Sequence, residues 1–152
     1  MASVQSSEKL RSILNCTMYN HDPADATTAT DIAWVDMRDY GRILIGVMAN
    51  ALTGNGVTAF KILANSASDG SGTDAEVKVH ALGSAPDAAG DYLWLECTAE
   101  EIRSVETSST GELRYVSANV DCHNAADTAT VVYIRAEPRF PQTGLTADYV
   151  SA

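Results

Sequence analysis

The chain has 152 residues, with 20 Asp and Glu against 10 Lys and Arg, so its formal charge at pH 7 is −10. This length fits one domain, which buries roughly 70% of its unfolded surface and needs no metal or disulfide to fold. The acidic charge argues against partners held by phosphate neutralisation, so we predict no nucleic-acid and no membrane binding. Hydrophobic residues make up 45% and charged residues 20%, which is typical of a globular chain.

Short apolar runs alternate along the chain with clusters of Gly, Asp, Ser and Thr, a pattern typical of a β-sandwich or barrel. We predict an all-β sandwich of about eight strands over residues 13–137, with an N-terminal arm at 1–12 and a C-terminal tail at 138–152. In chain order the predicted strands are Ile13–Tyr19, Asp31–Arg38, Arg42–Ala51, Val57–Ala64, Ala75–Leu82, Asp91–Cys97, Leu113–Val120 and Thr130–Ala136.

Side-chain alternation indicates which residues of these strands face the core. In Asp91–Cys97, Leu93 and Leu95 alternate with Tyr92 and Trp94, as in a half-buried strand. The run Ile43–Met48 is apolar on both faces, so we expect a central strand covered by the second sheet and, outside, by a loop, arm or subunit. The predicted core residues are Ile45, Val47, Val77, Val79, Leu93, Leu95, Val132 and Ile134.

The connections carry turn and helix signals. Thr53–Gly56 and Ser68–Asp74 are rich in Gly, Asn and Asp, so both are predicted to be hairpin connections. Thr98 followed three residues later by Glu101 is a capping box, which predicts one short helix.

The cysteine content and the N-terminal sequence indicate the cellular environment expected for the chain. Cys16, Cys97 and Cys122 are an odd number without CxxC spacing, so we predict three free, structural thiols in a reducing compartment. We find neither a signal-like N-terminus nor 18 consecutive apolar residues, so we expect no visible export signal and no membrane span.

Several patterns could carry chemistry, but each lacks the context that it requires. Gly54–Ala59 matches GxGxxA, yet a β-rich run follows instead of a helix. The Asp69–Asp74 loop lacks the spacing of a calcium motif. No nucleophile, base and orienting group are visible together, so we predict no catalysis and no cofactor. The residues weighed for general-base, metal or glycosidase chemistry are His21, His80, His123, Asp36, Asp39, Asp121 and Asp127.

Two other function classes stay open at this stage. A carbohydrate-binding module would need an exposed cluster such as Trp34, Trp94 and Tyr92 on one face. A small β-sandwich enzyme would need one of the histidines to meet carboxylates in a pocket. Aromatic anchors are also enriched in protein interfaces, and core packing is the favoured interpretation for any single one of these residues.

Four stretches resemble small virion proteins of tailed bacteriophages, over about residues 13–150. The run Arg42–Asp74 has a strand, a Thr-Gly-rich turn, a second strand and an Asp-Gly turn, and the later stretches look like the same group. Those stretches are Gly90–Glu96, Leu113–Ala118 and Pro138–Tyr149. The resemblance implies a jelly-roll or similar sandwich that decorates and cements the icosahedral head, made in the host cytoplasm and placed on the virion capsid surface.

The same resemblance implies partners. We expect the major capsid protein as one partner and a second copy of the chain as another, in a homo-oligomer that is a dimer rather than a trimer. Head-completion and tail proteins with similar β domains are the alternative virion roles. The residues expected at the capsid or subunit interface are Lys9, Arg11, Arg139, Phe140 and Tyr149.

Overall fold

A computed structural model describes residues 14–21, 30–52, 56–80, 86–124 and 126–139, and it confirms an all-β sandwich of two antiparallel sheets. A helix, α1 (Ala99–Ser104), follows the seventh strand. The strands are β1 Leu14–His21, β2 Thr30–Asp31, β3 Val35–Asp36, β4 Tyr40–Ala51, β5 Val57–Asn65, β6 Ala75–Val79, β7 Tyr92–Thr98, β8 Tyr115–Cys122 and β9 Thr128–Pro138.

The strand order is that of a jelly roll. Sheet A has the order β1-β9-β4-β7, and sheet B has the order β2-β8-β5-β6, with β3 also beside β8. Strands β2 and β3 are two segments of one edge, so we count them together as the second of eight strands. The first strand then pairs with the eighth, the second with the seventh, the third with the sixth and the fourth with the fifth. This nesting of hairpins defines the double Greek key of jelly rolls.

One of the two predicted hairpins is wrong. Strand β4 belongs to sheet A and β5 to sheet B, so the connection after β4 crosses between the sheets. Gly56 ends this connection with φ +81°, and a Cβ there would overlap the carbonyl oxygen of Pro86. Residues 53–55 lie outside the described part. The Ser68–Asp74 prediction is confirmed, because β5 and β6 on either side of it pair directly.

Three of the predicted core residues point away from the core. Ile45 and Val47 are fully buried, and Leu93, Leu95 and Val77 are half-buried against the core, as predicted. Val79 instead is 50% exposed. Val132 pairs with Gly46 on the outer face of sheet A, and Ile134 shares that face, while Val131 and Tyr133 fill the interior. The run from Val131 to Ile134 has no polar position, so alternation could not show which face is inward.

A tyrosine hydroxyl joins the two sheets at their centre. The N–H of Ala118, in β8, donates to the hydroxyl of Tyr133, in β9, at 2.8 Å. Ala118 lies where the neighbouring edge is interrupted between β2 and β3, so its N–H takes a side-chain partner there. Tyr19 packs edge-on against the Tyr133 ring, with centroids 5.3 Å apart. Burial raises the pKa of Tyr133 to about 12.

The predicted capping box is present at α1. The Thr98 hydroxyl accepts the Glu101 N–H at 3.1 Å, and the Glu101 carboxylate accepts the Thr98 N–H at 2.8 Å. Glu101 also pairs with Lys78 of β6 at 2.8 Å, which ties the helix to the edge of sheet B. Within the described ranges, no helix has the length and apolar character needed to cross a membrane.

All three cysteines are unpaired, as predicted, but their environments differ. Cys97 and Cys122 are buried, and burial raises their pKa to about 12 and about 11. Cys16 is exposed on β1, so the expectation of a structural thiol is wrong at this position.

Candidate protein interaction surface

The outer face of sheet A carries a row of apolar residues across all four strands. In the register of the sheet, Met18 of β1 lies beside Val132 of β9. Val132 lies beside Gly46 of β4, and Gly46 lies beside Trp94 of β7. In the next row along the strands, Met48 pairs with Tyr92. The jelly-roll order therefore brings distant parts of the sequence together on one face.

The side chains in these rows are unusually exposed. Five large hydrophobic residues of the described part are clearly exposed, and four of them lie on this face. Their exposed fractions are 69% for Tyr92, 64% for Met18, 41% for Met48 and 40% for Trp94. Single exposed apolar residues are normal on protein surfaces, whereas a contiguous patch marks an interaction site. We call these four residues, with Gly46 and Val132 between them, the outer apolar patch.

Trp94 is held on the patch by a glycine. A Cβ atom on Gly46 would overlap the indole ring of Trp94, so only glycine lets the ring lie directly across β4. A large aromatic side chain beside a glycine on the neighbouring strand covers backbone that would otherwise be bare. The expected outer cover of β4 is therefore supplied, at Gly46, by a side chain of the same sheet.

Polar side chains at both ends of the patch satisfy one another. At one end, Arg42 bonds to Glu96 and pairs with Glu137 at 3.2 Å. At the other end, the side-chain amide of Asn50 donates to the Thr130 hydroxyl at 3.0 Å. An apolar centre with a hydrogen-bonded rim is the usual anatomy of a protein interface.

The aromatic cluster proposed for sugar binding is not assembled. Trp34 lies against Gly70, in the connection between β5 and β6 of sheet B. A Cβ atom added to Gly70 would overlap the indole nitrogen of Trp34. Tyr92 and Trp94 lie on the outer face of sheet A, beside the two methionines. Thioether and aliphatic neighbours suit protein side chains better than sugar hydroxyls, which need polar partners.

The candidate catalytic residues are dispersed. His80 follows β6 of sheet B, and His123 follows β8 and is exposed, while the adjacent Cys122 is buried, as the alternation predicts. His21 belongs to sheet A, and its side chain lies outside the described residues. In the ranges that the structure describes, no group of three or more His, Cys, Asp or Glu could hold a metal ion.

The candidate acidic residues stabilise local structure. Asp36 forms a two-pronged ion pair with Arg114, and Asp39 lies 3.4 Å from Arg38. Asp121 accepts a hydrogen bond from Thr58 at 2.8 Å, and the buried Asp127 accepts the Asn124 N–H at 3.1 Å. These contacts fix strand ends and turns.

The two carboxylates of the Asp69–Asp74 loop are also engaged in hydrogen bonds. Asp69 accepts the Ser71 N–H at 3.0 Å, and Asp74 accepts the side-chain amide of the buried Asn65 at 2.6 Å. The side-chain oxygen of Asn65 accepts the Ala67 N–H at 2.7 Å. The loop is thus an organised hairpin turn.

Only one of the predicted interface residues falls in the described part. Arg139 is exposed, and its N–H donates to the Asp39 carbonyl at 2.8 Å. It lines a small pocket at one end of the sandwich together with Arg38, Arg103 and Arg114. Lys9, Arg11, Phe140 and Tyr149 lie outside the described residues. Met18 and Met48 were missed, because their common face follows from strand pairing that the sequence does not state.

Comparison with known proteins gives a distant structural likeness. No protein-family model and no curated protein matches this sequence. The crystal structure of the SPBc2 prophage-derived protein YomS is similar over 82% of this chain and 96% of that chain, with 12% sequence identity and a TM-score of 0.40. A likeness at this level carries no conclusion about function.

Proposed function

We propose that this protein is a structural component of a tailed-bacteriophage virion that decorates and cements the capsid by binding the major capsid protein. The observation that carries the proposal is the outer apolar patch, since an exposed apolar surface on rigid strands is suited to stable protein contact. The virion assignment rests on the sequence resemblance at Arg42–Asp74 and the later stretches. The proposed site is the capsid surface.

The chemistry of the patch suits a protein partner. Trp and Tyr dominate the binding energy of many interfaces, and burying one large apolar side chain contributes about 1.5–3 kcal/mol. Trp94 and Tyr92 are two positions apart on β7, so one partner groove can receive both. Since both lie on a strand that is already paired in the sandwich, binding orders little backbone.

The net charge and residues near the chain ends are proposed to contribute further to binding. The net charge of −10 favours docking where a shell presents basic side chains. Lys9, Arg11, Arg139, Phe140 and Tyr149 are proposed as further contacts to the shell or to neighbouring copies. The proposed role requires no catalysis and no cofactor, and its partners are protein rather than nucleic acid or membrane.

Binding to isolated shells tests the role of the patch. We expect Trp94→Ser to weaken attachment to empty capsids of the phage that encodes the chain by at least tenfold, measured by co-sedimentation. Val79→Ser, which removes an exposed apolar side chain from sheet B, should bind like the parent protein. Equal binding by the Trp94 variant, or equal loss by the Val79 variant, would contradict the proposal.

A further inference from the structure

Strand β1 forms an edge of sheet A that is open on one side in the described part of the chain. It pairs with β9 through eight consecutive residue pairs, from Leu14 with Ala136 to His21 with Ala129, without a register shift. Among the described residues, no strand lies along its other side. Such an edge presents unpaired N–H and C=O groups that can bond to a further strand.

The other three edges have features that oppose pairing. The edge made by β2 and β3 is broken into two-residue segments. Strand β6 has only five residues and carries Glu76 and Lys78, while β7 carries Glu96 and leads into α1. In contrast, the eight residues of β1, LNCTMYNH, include no proline and no Asp, Glu, Lys or Arg. Short length, charge and irregularity are the usual protections of an edge strand, and β1 has none of them.

We propose that β1 pairs with β1 of a second copy, so that the two copies of sheet A form one continuous eight-stranded sheet. Two chains that each carry −10 repel one another, so they associate most readily where the contact is uncharged, as it is along β1. Two identical strands pair antiparallel about a twofold axis, which is the commonest symmetry of homodimers. This inference goes beyond the proposed function, since the dimer forms in solution without a shell.

The pairing also enlarges the binding surface. With the twofold axis perpendicular to the sheet, the outer faces of both copies point the same way, and their apolar patches lie side by side. A monomer typically exposes an apolar patch of about 300–600 Å², whereas a specific interface takes about 800 Å² from each partner. The dimer therefore presents about twice the apolar docking surface of a single chain, closer to the size of a specific interface.

The register of the pair is limited by the faces of the strand. Residues directly opposite in an antiparallel pair share a face, so outer-face residues of one copy must lie opposite outer-face residues of the other. The two registers that meet this condition with the fullest overlap place the axis at Thr17 or at Met18. With the axis at Thr17, Cys16 of one copy lies opposite Met18 of the other. With the axis at Met18, the two Met18 side chains lie opposite each other.

Cysteine cross-linking tests both registers with one substitution. In Met18→Cys, the new thiol faces either Cys16 or its own counterpart, with Cβ atoms about 4.5–5.5 Å apart and close to disulfide range. We expect mild oxidation to convert this variant into a covalent dimer. The parent protein, with Cys16 alone exposed, should stay uncross-linked. Met48→Cys is the matched control, since Met48 lies on the same face but two strands away from the edge.

A charge at the same position provides the second test. Met18→Lys places two like charges across the dimer axis, so we expect a folded monomer by light scattering where the parent chain is a dimer. Met48→Lys should leave the dimer intact. A monomeric parent chain, equal cross-linking of the Met48 variant, or a Met18→Lys variant that stays dimeric would overturn the proposal. These measurements need no capsid, so their failure is distinct from failure of the proposed function.

Discussion

At the scale of single residues, Gly46 determines where Trp94 can lie. We expect Gly46→Ala to push the indole off β4 and to lower the free energy of unfolding by about 1 kcal/mol, as overpacking does. Urea denaturation followed by tryptophan fluorescence measures both effects. In a Trp94→Ala background, Gly46→Ala should leave the free energy of unfolding unchanged, because no ring is left to displace. An equal loss of stability in that background would mean that the backbone conformation, rather than the indole ring, requires glycine at position 46.

Tyr133 is a second residue with a specific role, because its hydroxyl satisfies a buried backbone N–H. We expect Tyr133→Phe to lower the free energy of unfolding by about 1–2 kcal/mol, since the Ala118 N–H is left without its partner. Tyr19→Phe is the control, because it keeps the ring that packs against Tyr133 in the T-shaped contact. Loss of stability of similar size in both variants would refute a particular role for the Tyr133 hydroxyl.

The same residue makes stability depend on alkaline pH. Burial raises the pKa of Tyr133 to about 12 from 10.0, so the unfolded chain loses this proton at lower pH than the folded chain. The contribution is present below pH 10.0 and is lost as the pH rises toward 12. The buried cysteines titrate in a similar range, so the comparison with Tyr133→Phe isolates the contribution of the tyrosine. The free energy of unfolding of this variant should fall less steeply with rising pH than that of the parent protein. Parallel curves for the two proteins would contradict this assignment.

At the scale of elements, the ion pair between Asp36 and Arg114 fastens the short strand β3 to β8. The Arg114 guanidinium holds the pKa of Asp36 below its ordinary value of 3.8. A depressed carboxyl pKa stabilises the fold above 3.8, and this contribution is lost as the pH falls further. Asp36→Asn should therefore lower the urea midpoint at neutral pH and differ less from the parent in acid. Asp39→Asn, which removes a looser and more exposed pair, should have a smaller effect.

Elements were more predictable from sequence than their faces and partners. All eight predicted strands are present, because turn clusters and β-rich runs are local signals. The split of Asp31–Arg38 into β2 and β3 was not visible, since it depends on Tyr133 and Ala118 from distant parts of the chain. The outward position of Val132 and the crossing after β4 likewise depend on tertiary pairing rather than on local pattern.

The candidate site was only partly predictable for the same reason. Alternation in β7 correctly placed Tyr92 and Trp94 opposite Leu93 and Leu95. The contribution of Met18 requires the order β1-β9-β4-β7, which joins the first strand to the last. Composition gives no signal for that order, and the interface residues predicted from the sequence all lie toward the chain ends.

At the scale of the whole molecule, the acidic charge lies outside β1 and the outer apolar patch, which together we call the contact region. The chain carries −10, yet β1 and the patch residues contribute no charge, and Arg42 at the border is paired with Glu96 and Glu137. Net charge keeps the free protein soluble, while the contact region can be buried without stranding an ion. This division of charge supports the proposed role in assembly.

Quantitative mass spectrometry of purified virions is the most direct test of this account. The proposed function predicts that particles of the phage encoding the chain contain it in a copy number comparable to that of the major capsid protein. Complementation with the Tyr92→Ser, Trp94→Ser double variant should leave particles that lack it, although the variant is folded in the cell extract. Absence of the parent chain from virions, or incorporation of the double variant at the parent level, would contradict the claim that the outer apolar patch docks on the shell.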